Sequence, residues 1–318
     1  MWIKPNNRPM ALKILSVNTS ADKGTIKEPA GEITLNHLGV MNDAHAGAWH
    51  RQVSLLGKES IDRFSREAGR SIAFGEFAEN LTTEGIELVK TSPLDRFVGQ
   101  HVELEVTQIG KECHGTSCAI FREVGHCVMP KEGIFARVIR QGSLRPGDVL
   151  EYVPRVLRFQ VVTLSDRASK GQYEDRSGPR IVEILQRHFE GKPRQIKVSH
   201  SVIPDDTSSL QVLIERTVYD EVDVIITTGG TGIGPRDITV ETIGPMLDKE
   251  IPGIMEMIRV KYGQKKPNAL LSRGVAGLMG GTLIYTLPGS VRAVNEYMEE
   301  ILKTLEHLIY MRHGLDVH

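Results

Sequence analysis

The residues with the clearest chemical potential form a loop in the second half of the chain. Its sequence is Thr227-Thr228-Gly229-Gly230-Thr231-Gly232-Ile233-Gly234-Pro235-Arg236-Asp237. Glycines let a backbone approach a ligand closely, so that successive N–H groups can converge on an anion. Arg236 can pair with a phosphate, and Asp237 is a suitable ligand for Mg²⁺. The loop therefore predicts a nucleotide- or phosphate-binding site, with a plain strand-to-helix connection as the alternative.

The surroundings of the loop predict a strand before it and a helix after it. An apolar run, residues 222–226, leads into the loop, and a new apolar periodicity begins beyond Thr239. The positive end of a helix at that position would add to the anion site. The loop has neither the lysine of a Walker motif nor the spacing of a dinucleotide fingerprint. It is therefore not a phosphate site of either standard type.

Other polar side chains also follow predicted strands. In a parallel sheet, ligands bind outside the carboxyl ends of the strands, so these side chains would face one site. We take Asp205 and Asp237 as the candidate catalytic pair and as candidate Mg²⁺ ligands. The candidate ligand-binding residues are Ser165, Asp166, Arg167, Thr228, Gly229, Gly230, Thr231, Gly232, Arg236, Pro288, Gly289 and Ser290.

Each of these residues also has a structural interpretation. Asp205 or Asp206 could cap a helix that contains Leu210, and Asp237 could cap a helix from Thr239 to Leu247. Ser290 could cap the next helix, and the serine and aspartate at 165 and 166 are common turn residues. The sequence leaves both interpretations open.

The elements that must position these residues divide at Val153-Pro154-Arg155, which predicts domains at 1–154 and 155–318. Before this point, alternating patterns such as residues 101–107 predict strands. After it, strands at 159–164, 222–227 and 282–287 alternate with helical patterns, one of which spans 291–312. On that last helix we expect Val291, Val294, Met298, Ile301, Leu302, Leu305 and Ile309 to face inward. We predict a mainly-β, barrel-like first domain and a three-layer α/β second domain with a mostly parallel sheet.

Composition excludes several classes of partner. The 318 residues carry 39 Lys and Arg against 40 Asp and Glu, a formal charge of −1, so no global basic field would recruit nucleic acid. No apolar run reaches the length of a membrane span, and no secretory signal is evident. Three widely spaced cysteines argue against a disulfide framework. These features predict a cytoplasmic protein.

Residues 156–312 resemble the MogA/MoaB-like family, the molybdopterin adenylyltransferases of molybdenum cofactor biosynthesis. The resemblance rests on ordered motifs: 164–169 with Gly171, Tyr173 and Asp175; Ile203-Pro204-Asp205; the glycine loop; 250–253; 271–273; and 287–289. It implies adenylyl transfer from ATP to molybdopterin with Mg²⁺, with Asp205 and Asp237 as the two critical aspartates. It also implies a pterin pocket lined by residues 287–290, a homotrimer, and a molybdate-insertion enzyme as a further partner.

The first half carries a second chemical cluster, residues 42–56. His45, His50 and Arg51 could together bind an anion. With residues 77–86 and 134–138, this segment resembles the MOSC family, the C-terminal domain of molybdenum cofactor sulfurases and its stand-alone relatives, over residues 12–153. The sequence departs from the family at Asn42, where glycine is usual, but asparagine tolerates the left-handed conformation better than most residues.

The MOSC resemblance implies a mainly-β domain that binds molybdenum cofactor and uses a cysteine. Cys113 is the candidate because Lys111 and His114 could stabilise its thiolate, with Cys127 as the rival. Cys118 is better interpreted as buried and inert. No pyridoxal-phosphate domain is present, so any sulfur handling here is independent of pyridoxal phosphate.

Both halves thus indicate one pathway. The leading hypothesis is Mg²⁺-dependent adenylylation of molybdopterin by residues 156–318, with the first domain binding the same pterin or a later form. The alternative is a non-catalytic carrier or storage protein for the cofactor. A third hypothesis is that the first domain acts on modified purines.

Overall fold

The computed structural model describes residues 10–111 and 128–315. The chain divides into two compact units, with the boundary between Arg155 and Val156. In the described residues, no helix combines the length and apolar character needed to cross a membrane.

The first unit is a β-barrel. Its strands are β1 (Ala11–Thr19), β2 (Glu28–Ala30), β3 (Ile33–Asn36), β4 (Gly39–Val40), β5 (Val53–Gly57), β6 (Leu81–Glu84), β7 (Arg96–Val98), β8 (Glu103–Ile109), β9 (Ile134–Arg140), β10 (Gly142–Leu144) and β11 (Val149–Val153). An eight-stranded sheet runs β11-β7-β8-β9-β5-β6-β1-β2, and antiparallel pairing of β11 with β1 closes it. Closure removes the exposed edges that an open sheet would present.

The barrel interior follows from the alternation of apolar residues along its strands. Leu12 and Ile14 of β1 are fully buried with Leu104 and Val106 of β8 in one cluster. In the described part of this unit there are two α-helices, α1 (Lys58–Ala68) and α2 (Met129–Glu132), and one 3₁₀ turn, Leu88–Lys90. A separate small sheet joins β10, β3 and β4. The prediction of a mainly-β, barrel-like first domain is confirmed.

The second unit alternates strands and helices. Its strands are β12 (Val156–Leu164), β13 (Gln195–Ile203), β14 (Val224–Thr228), β15 (Lys249–Glu250), β16 (Ala276–Met279) and β17 (Thr282–Leu287). The sheet order is β13-β12-β14-β17-β16-β15. Strands β13, β12, β14 and β17 are parallel to one another. Strand β16 pairs antiparallel with β17, and β15 pairs antiparallel with β16. The predicted mostly parallel sheet is confirmed.

The helices of this unit are α3 (Asp166–Ser169), α4 (Ser177–Phe189), α5 (Thr207–Tyr219), α6 (Thr239–Ile243), α7 (Pro252–Gly263) and α8 (Val291–Arg312). Val162 and Ile225 of the sheet pack with Leu210 and Ile214 of α5 in one apolar cluster. Phe159 contacts Phe189 of α4, with ring centroids 5.9 Å apart. The three-layer order of this unit stays a prediction.

Two helical expectations need correction. On α8, Val291 is 37% exposed, whereas Tyr297, which the apolar spacing did not include, is buried. Helix α6 begins at Thr239 as expected but ends at Ile243, and a short 3₁₀ turn, Gly244–Met246, follows. Proline has no backbone N–H to donate to the carbonyl four residues earlier, so Pro245 interrupts the α-helical hydrogen bonds and explains the early end. So short a helix adds little dipole to the glycine loop.

Candidate active site

The carboxyl ends of the four parallel strands meet at one edge of the second sheet. Leu164 of β12 pairs with Ile203 of β13, and Thr163 pairs with Thr228 of β14. Thr228 in turn pairs with Leu287 of β17. The turns that begin at residues 165, 204, 229 and 288 therefore lie side by side, as the motif order required.

Two glycines give the loop its shape. Gly229 has φ +103°, and a Cβ there would lie 2.4 Å from the carbonyl oxygen of Leu164. Gly230 has φ +64°, and a Cβ there would meet the Thr239 hydroxyl at 2.5 Å. Thr239 is fully buried and donates its hydroxyl to the Gly229 carbonyl at 2.8 Å. Thr239 thus fixes the backbone at the start of the loop, and there is no room for a side chain at Gly229 or Gly230.

The upper part of the loop presents unused backbone donors. Within the described residues, the N–H groups of Gly230, Thr231, Gly232 and Ile233 have no protein acceptor. Consecutive N–H groups of this kind form a concave nest for an anion. Ile233 beside them is 85% exposed, so a ligand could reach the nest. The loop thus has the free N–H groups that the predicted anion site requires.

Asp237 closes the loop instead of capping the next helix. Its Oδ2 accepts the N–H of Gly234 at 2.8 Å. The cap residue of α6 is Ile238, which makes no side-chain cap bond. The structural alternative for Asp237 is therefore wrong, and its carboxylate faces the loop.

Asp166 joins the loop to the turn after β13. Its N–H donates to Asp205 Oδ2 at 2.9 Å, and the Asp205 N–H donates back to Asp166 Oδ1 at 3.2 Å. Arg236 Nε donates to Asp166 Oδ2 at 3.0 Å. This bond from Arg236 lowers the pKa of the Asp166 carboxyl below its ordinary value. Asp205, Asp166 and Arg236 therefore lie together, and Arg236 is exposed and able to exchange Asp166 for a phosphate.

The cap belongs to Asp206 and not to Asp205. Asp206 Oδ2 accepts the Ser209 N–H of α5 at 2.8 Å. Ser165 and Ser290 also act as caps, since their hydroxyls each accept an N–H at 3.2 Å, from Ala168 and Ala293 respectively. Asp205 is therefore not needed as a cap and can act in the site. Asp206, Ser165 and Ser290 have structural roles.

Exchanging each of the two neighbouring aspartates for asparagine separates these roles. Asp205→Asn removes a carboxylate charge next to Asp166 and should lower the adenylyl transfer that the family resemblance implies by roughly tenfold to a hundredfold. Asp206→Asn should change the rate by less than about twofold, because asparagine caps helices as well as aspartate does. The measurement is the initial rate of product formation for both variants side by side. Equal losses in the two variants would contradict this assignment.

The remaining predicted residues of the loop and turns differ in burial. Thr228 is fully buried, and its hydroxyl donates to the Pro288 carbonyl at 2.9 Å, so its side chain supports the loop instead of contacting a ligand. Thr231 is also buried. Arg167 is exposed and lies over the Tyr173 ring at 5.3 Å. A Cβ at Gly289 would lie 3.3 Å from the Gly229 Cα, so the turn after β17 lies directly against the loop.

Arg273 is a further residue of the site; it belongs to the 271–273 motif but was not among the predicted site residues. Its Nε donates to the Gly232 carbonyl at 2.9 Å, and its guanidinium pairs with Glu241 of α6. It also lines a cavity of about 350 Å³. The other lining residues are Glu250, Pro252, Met255, Arg259, Leu270, Ser272, Gly274, Val275 and Ala276. The cavity therefore adjoins the glycine loop through Arg273.

The two candidate carboxylates fit a magnesium ion that a nucleotide brings with it. Asp205 and Asp237 each use Oδ2 in a hydrogen bond, and the second oxygen of each makes none among the described residues. Residues 10–111 and 128–315 contain no group of three or more His, Cys, Asp or Glu side chains that could hold a metal. Mg²⁺ is commonly bound by one or two carboxylates together with substrate phosphates and water. The residues present suit that arrangement and not a complete protein cage.

In the first unit, the segment that contains His45 is joined to the rest of the barrel domain by a buried ion pair. Lys27 Nζ bonds Asp43 Oδ2, and both side chains are 1% exposed. Asp43 also accepts the N–H of His45 at 2.9 Å and the Asn80 amide at 3.1 Å. Burial alone would raise the pKa of Asp43, but the bonds from His45 and Lys27 outweigh it and hold the pKa far below its ordinary range. Asn42 has φ +62°, so the tolerance expected of asparagine there is confirmed.

This unit has a second buried carboxyl, Glu79, which is fully inaccessible. Its Oε1 accepts the Gly75 N–H at 2.7 Å and the Thr82 hydroxyl at 2.8 Å, while Oε2 has no partner within the described residues. Burial raises the pKa of Glu79, although the Gly75 and Thr82 bonds partly oppose it.

We expect the stability of the first unit to fall, relative to Glu79→Gln, as the pH rises above about 4.5, the ordinary pKa of this group. The folded state binds the Glu79 proton more tightly than the unfolded state, so the stabilisation is complete below that pH and is lost as the pH passes the raised pKa. The measurement is urea unfolding from pH 4 to 8, followed by tryptophan fluorescence. Both tryptophans, Trp2 and Trp49, lie in the first half of the chain. Parallel stability curves for the parent and the variant would contradict this expectation.

The predicted anion-binding residues of this unit occupy one fixed segment. His45 is half-buried, and its carbonyl accepts the Trp49 indole N–H at 3.0 Å. The carbonyl of His50 accepts the Thr107 hydroxyl at 2.6 Å. The Arg51 guanidinium lies over the Trp49 ring at 4.8 Å. Cys113, Cys118 and Cys127 lie outside the described residues, so the predicted role of Cys113 stays a prediction.

Comparison with known proteins identifies relatives of both halves. The family described as a probable molybdopterin binding domain matches residues 160–307, and the MOSC domain family matches residues 42–151. The molybdopterin adenylyltransferase of Pyrococcus furiosus is 37% identical over 161 residues, which are 49% of this chain and 91% of that protein. Molybdenum cofactor biosynthesis protein B of Staphylococcus carnosus is 38% identical over 160 residues, with the same two shares of 49% and 91%. Among solved structures, the tungsten cofactor synthesizing protein MoaB from Pyrococcus furiosus is 32% identical, covers 52% of this chain and 100% of its own, and has a TM-score of 0.44.

Proposed function

Because the chain belongs to the molybdopterin-binding domain family in residues 160–307 and carries a MOSC domain in residues 42–151, we propose that its second half adenylylates molybdopterin with Mg²⁺ and ATP. We assign residues 1–154 to the MOSC domain and residues 155–318 to the transferase. The observation that carries the proposal is the run of unused N–H groups at Gly230–Ile233, with Arg236 beside it.

The reaction joins two phosphates. A terminal phosphate oxygen of molybdopterin attacks the α-phosphorus of ATP, a new P–O bond forms, and the bond to the bridging oxygen breaks to release pyrophosphate. Such a transfer needs neutralisation of charge and alignment more than covalent help from the protein. The site supports both needs through fixed donors and carboxylates on neighbouring strand ends.

The residues of this chain then have separate tasks. The loop N–H groups bind phosphate oxygens, and Arg236 leaves Asp166 to pair with a second phosphate group. Asp205 and Asp237 would hold Mg²⁺, which when bound neutralises charge on the phosphates. Arg273 fixes the carbonyl of Gly232 and so keeps the loop open toward the adjoining cavity, which has room for part of the pterin.

The first half supports a role for the same cofactor. We propose that the MOSC domain binds the pterin through His45, His50 and Arg51 and handles its sulfur through Cys113. Following the family resemblance, we also propose a homotrimeric, cytoplasmic protein that passes adenylyl-molybdopterin to a molybdate-insertion enzyme.

The test is anaerobic incubation of the full chain with molybdopterin, ATP and Mg²⁺, followed by chromatography. We expect adenylyl-molybdopterin and pyrophosphate in equal amounts, and neither product when Mg²⁺ or ATP is omitted. Tight binding of pterin without turnover would refute the transferase and identify the protein as a carrier. Absence of both binding and turnover would refute both functions.

A further inference from the structure

Arg167 and Tyr173 form an exposed pair beside the candidate active site, which we call the stacked pair. The Arg167 guanidinium carbon lies 5.3 Å from the centre of the Tyr173 ring. Tyr173 is 51% exposed although it is a large aromatic side chain, and Arg167 is exposed as well. Arg167 belongs to α3 and directly follows Asp166, whose carboxylate accepts a hydrogen bond from Arg236. The stacked pair therefore offers a flat, positively charged surface next to the groups that we assign to phosphate binding.

The segment that carries the stacked pair is anchored at both of its ends. At its start, the Ser165 N–H donates to the Ile203 carbonyl at 3.0 Å. At its end, Asp175 Oδ2 accepts the Thr163 hydroxyl at 2.6 Å, which ties the segment back to β12. The aromatic ring is thus presented on a segment that the sheet fixes. A ring held in this way loses less freedom when a ligand covers it, so more of the contact energy remains as affinity.

The stacked pair and the cavity beside Arg273 lie on opposite sides of the glycine loop. The turn with the pair follows β12, the loop follows β14, and the cavity is lined by Ala276 of β16. In the sheet order β12-β14-β17-β16, the loop therefore stands between the other two. The proposed reaction joins the phosphates of two substrates, each of which also carries a planar ring. With both sets of phosphates at the loop, the two rings extend to opposite sides of it.

We propose that the stacked pair binds the adenine of ATP, with the Tyr173 ring as the surface on which the base stacks. This inference rests on the proposed adenylyl transfer and adds the subsite for the base. The cavity beside Arg273 already has part of the pterin as its proposed occupant, which leaves the stacked pair for the second ring. Nucleobases stack well on aromatic side chains and on guanidinium planes, because every base has a π-face.

The test compares ATP with tripolyphosphate, which has the same chain of phosphates but no base. Binding of each to the full chain is measured by calorimetry with Mg²⁺ and without molybdopterin, so that no transfer occurs. Tyr173→Ala should weaken ATP binding roughly fivefold to a hundredfold and change tripolyphosphate binding by less than about twofold. Tyr173→Phe keeps the ring and should bind ATP as the parent does. The matched control is Tyr219→Ala, since Tyr219 is 87% exposed at the end of α5, and it should also bind as the parent does.

Three results would overturn the proposal. If Tyr173→Ala bound ATP as tightly as the parent, the base would not use the stacked pair, although adenylyl transfer could still hold. If the variant lost ATP and tripolyphosphate to the same extent, Tyr173 would support the phosphate site and not the base. If it lost molybdopterin instead of ATP, the stacked pair would belong to the pterin. A parent chain that bound neither ATP nor tripolyphosphate would refute the proposed function itself, and this inference with it.

Discussion

Asp237→Asn is expected to lower adenylyl transfer to molybdopterin by about a hundredfold to a thousandfold, the effect of losing one charged group from a preorganised site. Asparagine keeps an oxygen that can accept the Gly234 N–H, which Asp237 binds at 2.8 Å, so the loop should keep its shape. The variant therefore removes mainly the charge that would hold Mg²⁺. The measurement is the single-turnover rate under anaerobic conditions, with Mg²⁺ varied.

Asp248→Asn is the matched control for that variant. Asp248 also accepts a glycine N–H, that of Gly280 at 2.7 Å, but it precedes β15 at the antiparallel side of the sheet. We expect its rate to equal that of the parent. If Asp237→Asn retained most of the activity, or if its loss were matched by Asp248→Asn, the assignment of a catalytic carboxylate to the loop would fail.

Gly229→Ala is expected to destabilise the second unit by about 2–5 kcal/mol, the sum of a left-handed backbone and an overpacked contact. The new Cβ would lie 2.4 Å from the Leu164 carbonyl at φ +103°, and neither backbone segment can yield cheaply. The loop N–H groups would move with it, so activity should fall as well. Urea unfolding followed by far-ultraviolet circular dichroism measures the loss, and tryptophan fluorescence reports separately on the first half of the chain.

The control for the backbone conformation is Gly281→Ala. Gly281 has φ +93°, and nothing lies within 4 Å of a Cβ added there. Its substitution should cost only about 1–2 kcal/mol, the cost of the left-handed conformation alone. If the two alanine variants were equally stable, close contact between the loop and the end of β12 would not be what shapes the site.

Local patterns were sufficient for much of the second unit. The apolar periodicity of 291–312 predicted α8 with its observed bounds, and the run at 282–287 predicted β17. Both signals are local, because apolar residues on the buried face of a helix or strand recur at the period of that element. The adjacency of the turns that begin at 165, 204, 229 and 288 also followed, since parallel strands place their carboxyl ends at one edge.

The sequence could not predict which of two neighbouring residues in a turn caps the following helix. Asp205 and Asp206 are equally good caps by residue type, and only the backbone path after Ile203 gives the cap to Asp206 and turns Asp205 toward Asp166. The early end of α6 shows the same limit, because the apolar periodicity continued beyond Pro245 while the helix did not.

By itself, the sequence determined the two families, the parallel sheet and the glycine loop, because each is carried by residues close together in the chain. Only the tertiary structure decided which distant groups meet. The pairing of β1 with β11 closes the barrel, Lys27 reaches Asp43, Arg273 reaches Gly232, and Phe135 covers Arg51. Such contacts depend on strand register and on packing across long separations in the chain, which no local pattern encodes.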